Sequence, residues 1–146
     1  MKISFYFVYN KPIWKAWRGY SSAIFLDLGK KITPMNSQQS EKAEWSISLA
    51  SCPWEIYQGD TLIIDYNSDP EVIDDFIPKL EGLKIEEIRF DTPSQSWVIQ
   101  LNDGTQIMTS LNFDDEKCAI IGVSQSYLLL SSGKIAIEQP TDKQLS

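Results

Sequence analysis

The stretch WVIQLNDGTQIMTSL, residues 97–111, decides the fold class of this 146-residue chain. Two β-prone runs flank Asn102-Asp103-Gly104, and an Asp-Gly step favours the positive backbone angles of a tight hairpin turn. Similar turn signals occur at Gln58-Gly59-Asp60 and at Ser131-Ser132-Gly133. Because strands joined by tight turns pair antiparallel, these three hairpins predict a mainly antiparallel β-sheet. We expect a curved sheet, a roll or a sandwich rather than a parallel α/β stack.

The remaining elements complete an α+β pattern. Residues 3–9 are aromatic and β-prone and predict an opening strand, and residues 12–20 read as a connector with a helical turn. One short helix is predicted at about residues 69–81. Ser68 is its expected N-cap with Glu71 as capping-box partner, and Pro78 should tighten it because proline lacks an amide hydrogen. The helix carries one apolar stripe, formed by Val72, Ile73, Phe76, Ile77 and Leu80.

Composition indicates one globular domain over residues 1–146. The chain is 42% apolar and 12% aromatic, and a chain of this length buries roughly 70% of its unfolded surface on folding. Its formal net charge is −7, with a pI near 4.5. Nucleic acids and anionic membranes both require a basic footprint, so neither is expected as a direct partner. No apolar run approaches the roughly 18 residues that span a bilayer.

The residue types and motifs of the chain give little support for a catalytic function. The chain has no histidine, and it contains neither a Gly-x-Ser-x-Gly elbow nor a Ser-x-x-Lys motif. Cys52 and Cys118 lack the paired spacing of a zinc or redox site, and they are expected to be buried thiols in a reducing compartment. The sequence therefore predicts a cytoplasmic protein that is not an enzyme and that uses no cofactor, metal or catalytic residue.

The charge is unevenly distributed along the chain. Residues 1–42 hold seven basic and two acidic residues, which gives +5, while the remainder holds six basic and eighteen acidic residues, which gives −12. Such asymmetry is consistent with solvated faces that aid solubility, and alternatively with an acidic surface aimed at a basic partner protein. Tyr66 or Trp97 is a candidate aromatic anchor at its centre. The predicted partner-binding residues are Asp69, Glu71, Asp74 and Asp75 on the helix, the pair Glu86 and Glu87, and Asp114, Asp115 and Glu116.

The run WSISLASCPWEI, residues 45–56, followed by Gly59-Asp60, resembles a group of small bacterial proteins of uncharacterised function. In size, acidity and α+β makeup the chain is also similar to immunity proteins of bacterial toxin systems, including contact-dependent growth inhibition. That resemblance implies cytoplasmic binding of a cognate toxin domain, often a basic nuclease, whose activity is thereby neutralised. It assigns no functional residue.

An alternative function stays open at this point. Aromatic residues on the concave side of a curved sheet can line an apolar pocket, which would make the chain a small hydrophobic-ligand-binding β protein. A carboxylate-based hydrolase would need two acidic groups that face each other across a cleft.

Overall fold

Two antiparallel β-sheets and one short helix form the protein in a sandwich-like arrangement, so the predicted α+β class is confirmed. The computed structural model describes residues 5–32, 42–112, 116–123 and 125–138. Within these ranges the strands are β1 (Ile13–Arg18), β2 (Ile24–Ile32), β3 (Lys42–Ser51), β4 (Glu55–Gln58), β5 (Thr61–Asp65), β6 (Ile85–Asp91), β7 (Ser96–Leu101), β8 (Thr105–Thr109), β9 (Lys117–Gly122), β10 (Ser126–Leu129) and β11 (Ile135–Glu138).

All three predicted hairpins are confirmed, and they supply three of the strand pairings in the two sheets. They are β4–β5, β7–β8 and β10–β11. One sheet has six strands in the order β1-β2-β3-β9-β10-β11, and the other has five in the order β5-β4-β8-β7-β6. The turn glycines Gly59 and Gly104 have φ angles of 62° and 91°, which glycine adopts without a Cβ clash.

Apolar side chains from both sheets form one buried cluster. Leu26, Ile47 and Ile120 contribute from the six-stranded sheet, while Ile56 and Ile99 contribute from the five-stranded sheet. Alternate residues of each strand point to opposite faces, so the other face of the six-stranded sheet lies outside this cluster.

The helical segment lies close to its predicted position. Helix α1 spans Pro70–Phe76 and continues as a 3-10 helix over Ile77–Leu80, which confirms the tightening expected at Pro78. The apolar stripe is confirmed at three of its positions, Ile73, Ile77 and Leu80, whereas Val72 is 47% exposed. No helix among the described residues is long and apolar enough to cross a membrane.

The predicted N-cap is wrong. Asp69 occupies that position without a side-chain capping bond. Ser68 instead belongs to the turn that leaves β5, where its Oγ accepts a hydrogen bond from the Asp65 amide at 3.0 Å and its own amide donates to the Asp65 carbonyl at 2.9 Å. The hydroxyl closes this turn and is therefore not part of a capping box with Glu71.

Residues 12–20 contain strand β1 and not a helical turn. A bulge between Ile13 and Lys15 interrupts its alternation, so its sequence does not show a simple period of two. The segment after α1 runs along the outer edge of β1. There the Ala16 amide donates to Glu81 Oε2 at 3.0 Å, and the Gly82 amide donates to the Ile13 carbonyl at 2.7 Å.

The predicted opening strand is also wrong over its described part, because Tyr6–Val8 form a 3-10 helix. Phe5 and Val8, three residues apart, are both buried, a spacing that a helical turn can place on one face. The Tyr9 hydroxyl then accepts from the Ile88 amide at 3.1 Å and lies 3.2 Å from the Ile88 carbonyl. These contacts with β6 override the local β-propensity.

Candidate functional site

The helix presents the first predicted acidic group to solvent, but one of its carboxylates already has a partner. Arg18 Nε donates to Asp74 Oδ1 at 2.8 Å, and Arg18 Nη2 donates to Asp74 Oδ2 at 3.0 Å. These hydrogen bonds lower the pKa of Asp74 and raise the pKa of Arg18. This bidentate ion pair connects α1 to the end of β1 and neutralises one charge of the predicted surface.

Asp69, Glu71 and Asp75 are exposed, and no described residue forms an ion pair with any of them. Helix α1 therefore keeps three uncompensated carboxylates. Since each lies in or next to the seven-residue helix, they concentrate negative charge over roughly 10 Å of chain.

Exposed apolar side chains accompany these carboxylates. Tyr66 and Val72 are 40% and 47% exposed, and they flank the start of α1. On β5, which α1 contacts, Leu62 and Ile63 are 45% and 40% exposed. Both are consecutive strand residues, and a register shift in the pairing of β4 with β5 accounts for their shared exposure. We call Leu62, Ile63, Tyr66 and Val72, with Asp69, Glu71 and Asp75, the β5–α1 surface.

The pair Glu86 and Glu87 lies elsewhere, on strand β6. Both are exposed, and Arg89 Nη1 donates to Glu87 Oε1 at 2.9 Å. The preceding Ile85 carbonyl accepts from the Asn10 amide at 2.7 Å, which places the start of β6 near the start of β1. Arg18 and Asp74 lie at the other end of β1, about 17 Å away at the usual rise of a strand. The helix group and the β6 pair are therefore not brought together.

The third predicted group is only partly described, since Asp114 and Asp115 lie outside the described residues. Glu116 is half-buried, and its Oε1 accepts a hydrogen bond from the Asn112 amide at 2.7 Å. It directly precedes β9, which stands three strands from β1 and so roughly 14 Å away. Glu116 is thus next to a strand that does not adjoin β1, where Arg18 binds Asp74.

Of the two predicted aromatic anchors, the structure leaves only Tyr66 accessible. Trp97 is 4% exposed, and its Nε1 donates to the Leu130 carbonyl at 2.8 Å. Trp97 also packs edge-on against Phe90 with ring centroids 5.4 Å apart. Trp97 is a core residue, so the prediction that it is an exposed anchor is wrong.

One pair of carboxylates lies side by side on two adjacent strands. Glu55 on β4 is the register partner of Asp65 on β5. Each has a local hydrogen bond, since the Tyr57 hydroxyl donates to Glu55 Oε1 at 3.2 Å and the Asn67 amide donates to Asp65 Oδ1 at 2.8 Å. Among the described residues no group of three His, Cys, Asp or Glu side chains is arranged to hold a metal ion.

The two cysteines meet at the end of β3. A hydrogen bond from Cys118 lowers the pKa of the half-buried Cys52 thiol, while the same contact and burial raise the pKa of Cys118. The expectation of buried thiols is confirmed for Cys118 and is only partly met by Cys52.

Sequence reasoning missed Asp27, which the fold places in an outward-facing groove of the six-stranded sheet. Asp27 is 8% exposed and lines this groove with Ser46 and Ile121, its neighbours on β3 and β9. The available signal was a single carboxylate inside the apolar run AIFLDL, residues 23–28. Comparison with known proteins finds no family model that matches the chain, and no curated protein or solved structure matches it.

Proposed function

We propose that this protein is a non-enzymatic inhibitor, an immunity protein that binds a cognate bacterial toxin domain in the cytoplasm and neutralises it. The β5–α1 surface carries the proposal, because it combines exposed apolar side chains with three carboxylates that no described cation neutralises. The partner expected for such a surface is a basic protein, for example a nuclease domain whose own substrate is anionic.

The chemistry of the surface matches what tight protein interfaces use. A few desolvated anchors supply most of the affinity, and tyrosine is enriched among them. Tyr66 and Val72 are the proposed anchors, with Leu62 and Ile63 extending the apolar area along β5. Asp69, Glu71 and Asp75 surround them and would attract Lys and Arg side chains of the partner, which raises the association rate at low salt.

The other predicted acidic residues contribute less to this proposal. Asp74 already binds Arg18, and Glu87 already binds Arg89. Glu86 adds to the negative field from the far end of β1. Asp114 and Asp115, which lie outside the described residues, and Glu116 are proposed to act through the overall charge of the protein.

The test uses the toxin-like product of a neighbouring gene as the partner. Its association with this protein is followed by stopped-flow fluorescence at 20 and 200 mM salt. The first triple variant replaces Asp69 and Asp75 with Asn and Glu71 with Gln. It should lower the association rate about tenfold at low salt and much less at high salt. The matched control replaces Asp103 with Asn, and Glu86 and Glu138 with Gln. It removes the same charge from exposed positions outside the β5–α1 surface and should change the rate about twofold.

Two results would contradict the proposal. Equal slowing by both triple variants would show that total charge matters and that the β5–α1 surface does not. Absence of a complex with the toxin domain, together with continued killing of cells that express both proteins, would reject the inhibitor function itself.

A further inference from the structure

The outer face of the six-stranded sheet holds a carboxylate that is buried without a cation. Asp27 lies between Leu26 and Leu28 on β2, and those two neighbours point into the core. Asp27 therefore points to the opposite face, yet it is only 8% exposed. Its Oδ1 accepts a hydrogen bond from Ser46 Oγ at 2.5 Å.

No described residue supplies the missing positive charge. Lys15 is the register partner of Asp27 on β1, but it forms no ion pair with Asp27, and its Nζ lies 4.6 Å from the centre of the Trp17 ring. Ser46 is the one hydrogen-bond partner of the Asp27 side chain within the described part of the chain. A largely buried carboxylate with a single neutral partner is costly unless a cation or water completes its coordination.

This carboxylate lies in a groove of about 400 Å³. The volume falls within the range of small-molecule sites in proteins, roughly 300–1,000 Å³. Three of the most exposed apolar side chains of the described protein line the same groove, namely Ile32, Ile121 and Val123, which are 37%, 43% and 67% exposed. The exposed Lys42 also lines the groove, but it forms no ion pair with Asp27. The groove thus combines apolar walls with one buried carboxylate and one exposed lysine.

We propose that this groove binds a small primary aliphatic amine, with its ammonium group on the Asp27 carboxylate and its alkyl chain against Ile121 and Val123. Monoamines fit better than polyamines, because Asp27 is the one carboxylate among the described residues of the lining and Lys42 repels a second positive charge. The inference is independent of the inhibitor function, since it concerns the outer sheet face and does not involve the β5–α1 surface. It also differs from the aromatic pocket considered from the sequence, as the described residues that line the groove include no aromatic side chain.

Hexylammonium is the probe, titrated into the full-length protein at pH 7 with two-dimensional amide NMR as the readout. We expect saturable shifts centred on the amides of Asp27, Ser46 and Ile121. Hexanol, which lacks the charge, and methylammonium, which lacks the chain, should each bind at least tenfold more weakly. Affinity should rise from butylammonium to hexylammonium by up to about fourfold for each added methylene that the groove buries.

Two variants test the assigned residues. Asp27→Asn keeps the side-chain shape and should weaken hexylammonium binding at least tenfold, while Asp75→Asn on α1 should leave it unchanged. The chain-length series on the unaltered protein stands even if Asp27→Asn does not fold. Equal binding of hexanol and hexylammonium, linear shifts without saturation, or unchanged binding by folded Asp27→Asn would overturn the proposal. Binding of a lysine-containing peptide without binding of the free amine would also overturn the proposal.

Discussion

Two neighbouring residues of α1 separate the role of the helix in folding from its role at the surface. Ile73 is 1% exposed and Val72 is 47% exposed. Replacing Ile73 with alanine removes three buried carbon groups worth about 0.8 kcal/mol each, and the cavity left behind adds to this loss. We expect the free energy of unfolding to fall by about 3 kcal/mol. With an unfolding entropy of about 2.1 cal/mol/K per residue, the Tm should fall by about 10 °C.

Urea unfolding followed by far-UV circular dichroism measures this change, and an unaltered m-value shows that the midpoint reports stability. Val72→Ala is the matched control. It loses half-exposed methyl groups and gains helix propensity, so its stability should stay within about 0.5 kcal/mol of the parent. It should instead weaken binding to the basic partner. A loss below about 1 kcal/mol for Ile73→Ala, or equal losses for both variants, would refute the assignment of buried and exposed faces.

Three further predictions concern single contacts. Hydrogen bonds from Arg18 lower the pKa of Asp74, so the unaltered protein should be more stable than Asp74→Asn above pH about 4. Urea titrations at several pH values should show that this difference in stability disappears as the pH falls through the lowered pKa. Gly122→Ala places a Cβ closer to the Trp45 ring than van der Waals contact allows, and it should cost about 1–3 kcal/mol in the same assay, with a changed near-UV tryptophan signal. An unchanged stability would show that the ring moves freely. A thiol-specific disulfide reagent should modify Cys52 but not Cys118 in the folded protein, and Cys52→Ser should react only after unfolding.

The parts of the fold that could be predicted from the sequence depend on local signals. The three hairpins carry their own turn residues, and α1 carries its own apolar spacing, so residues a few positions apart suffice to define them. Strand β6 was missed for the opposite reason. Its buried side chains, Ile85 and Ile88, are three residues apart because a bulge separates them, and the expected alternation is absent from the sequence. The 3-10 helix at Tyr6–Val8 depends on tertiary contacts and has no local signature.

The candidate site was harder to predict, because it depends on contacts between residues that are far apart in the sequence. Asp74 looked like a free surface charge until the fold placed Arg18, 56 positions earlier, against it. Trp97 looked like a possible anchor, but the carbonyl of Leu130 binds its indole within the core. The groove around Asp27 arises only when β2, β3 and β9 lie side by side. Composition indicated an acidic protein, but not which carboxylates remain uncompensated.

The bulge in β6 has a consequence for how copies of this protein behave towards one another. An edge strand with open backbone groups is a template on which another chain can add a strand, and aggregation often starts there. Strand β6 is the last strand of the five-stranded sheet, but residues 9–11 already bond to the outward backbone groups of Ile85 and Ile88. Next to these covered positions, the bulge after Ile85 leaves the side chains of Glu86 and Glu87 exposed. Two copies that approached edge to edge would bring their Glu86 carboxylates together, while Glu87 of each copy is paired with Arg89, and the bulges would disturb a regular hydrogen-bond register. These glutamates therefore help to keep the folded chains apart at high concentration, whether or not they also contact a partner.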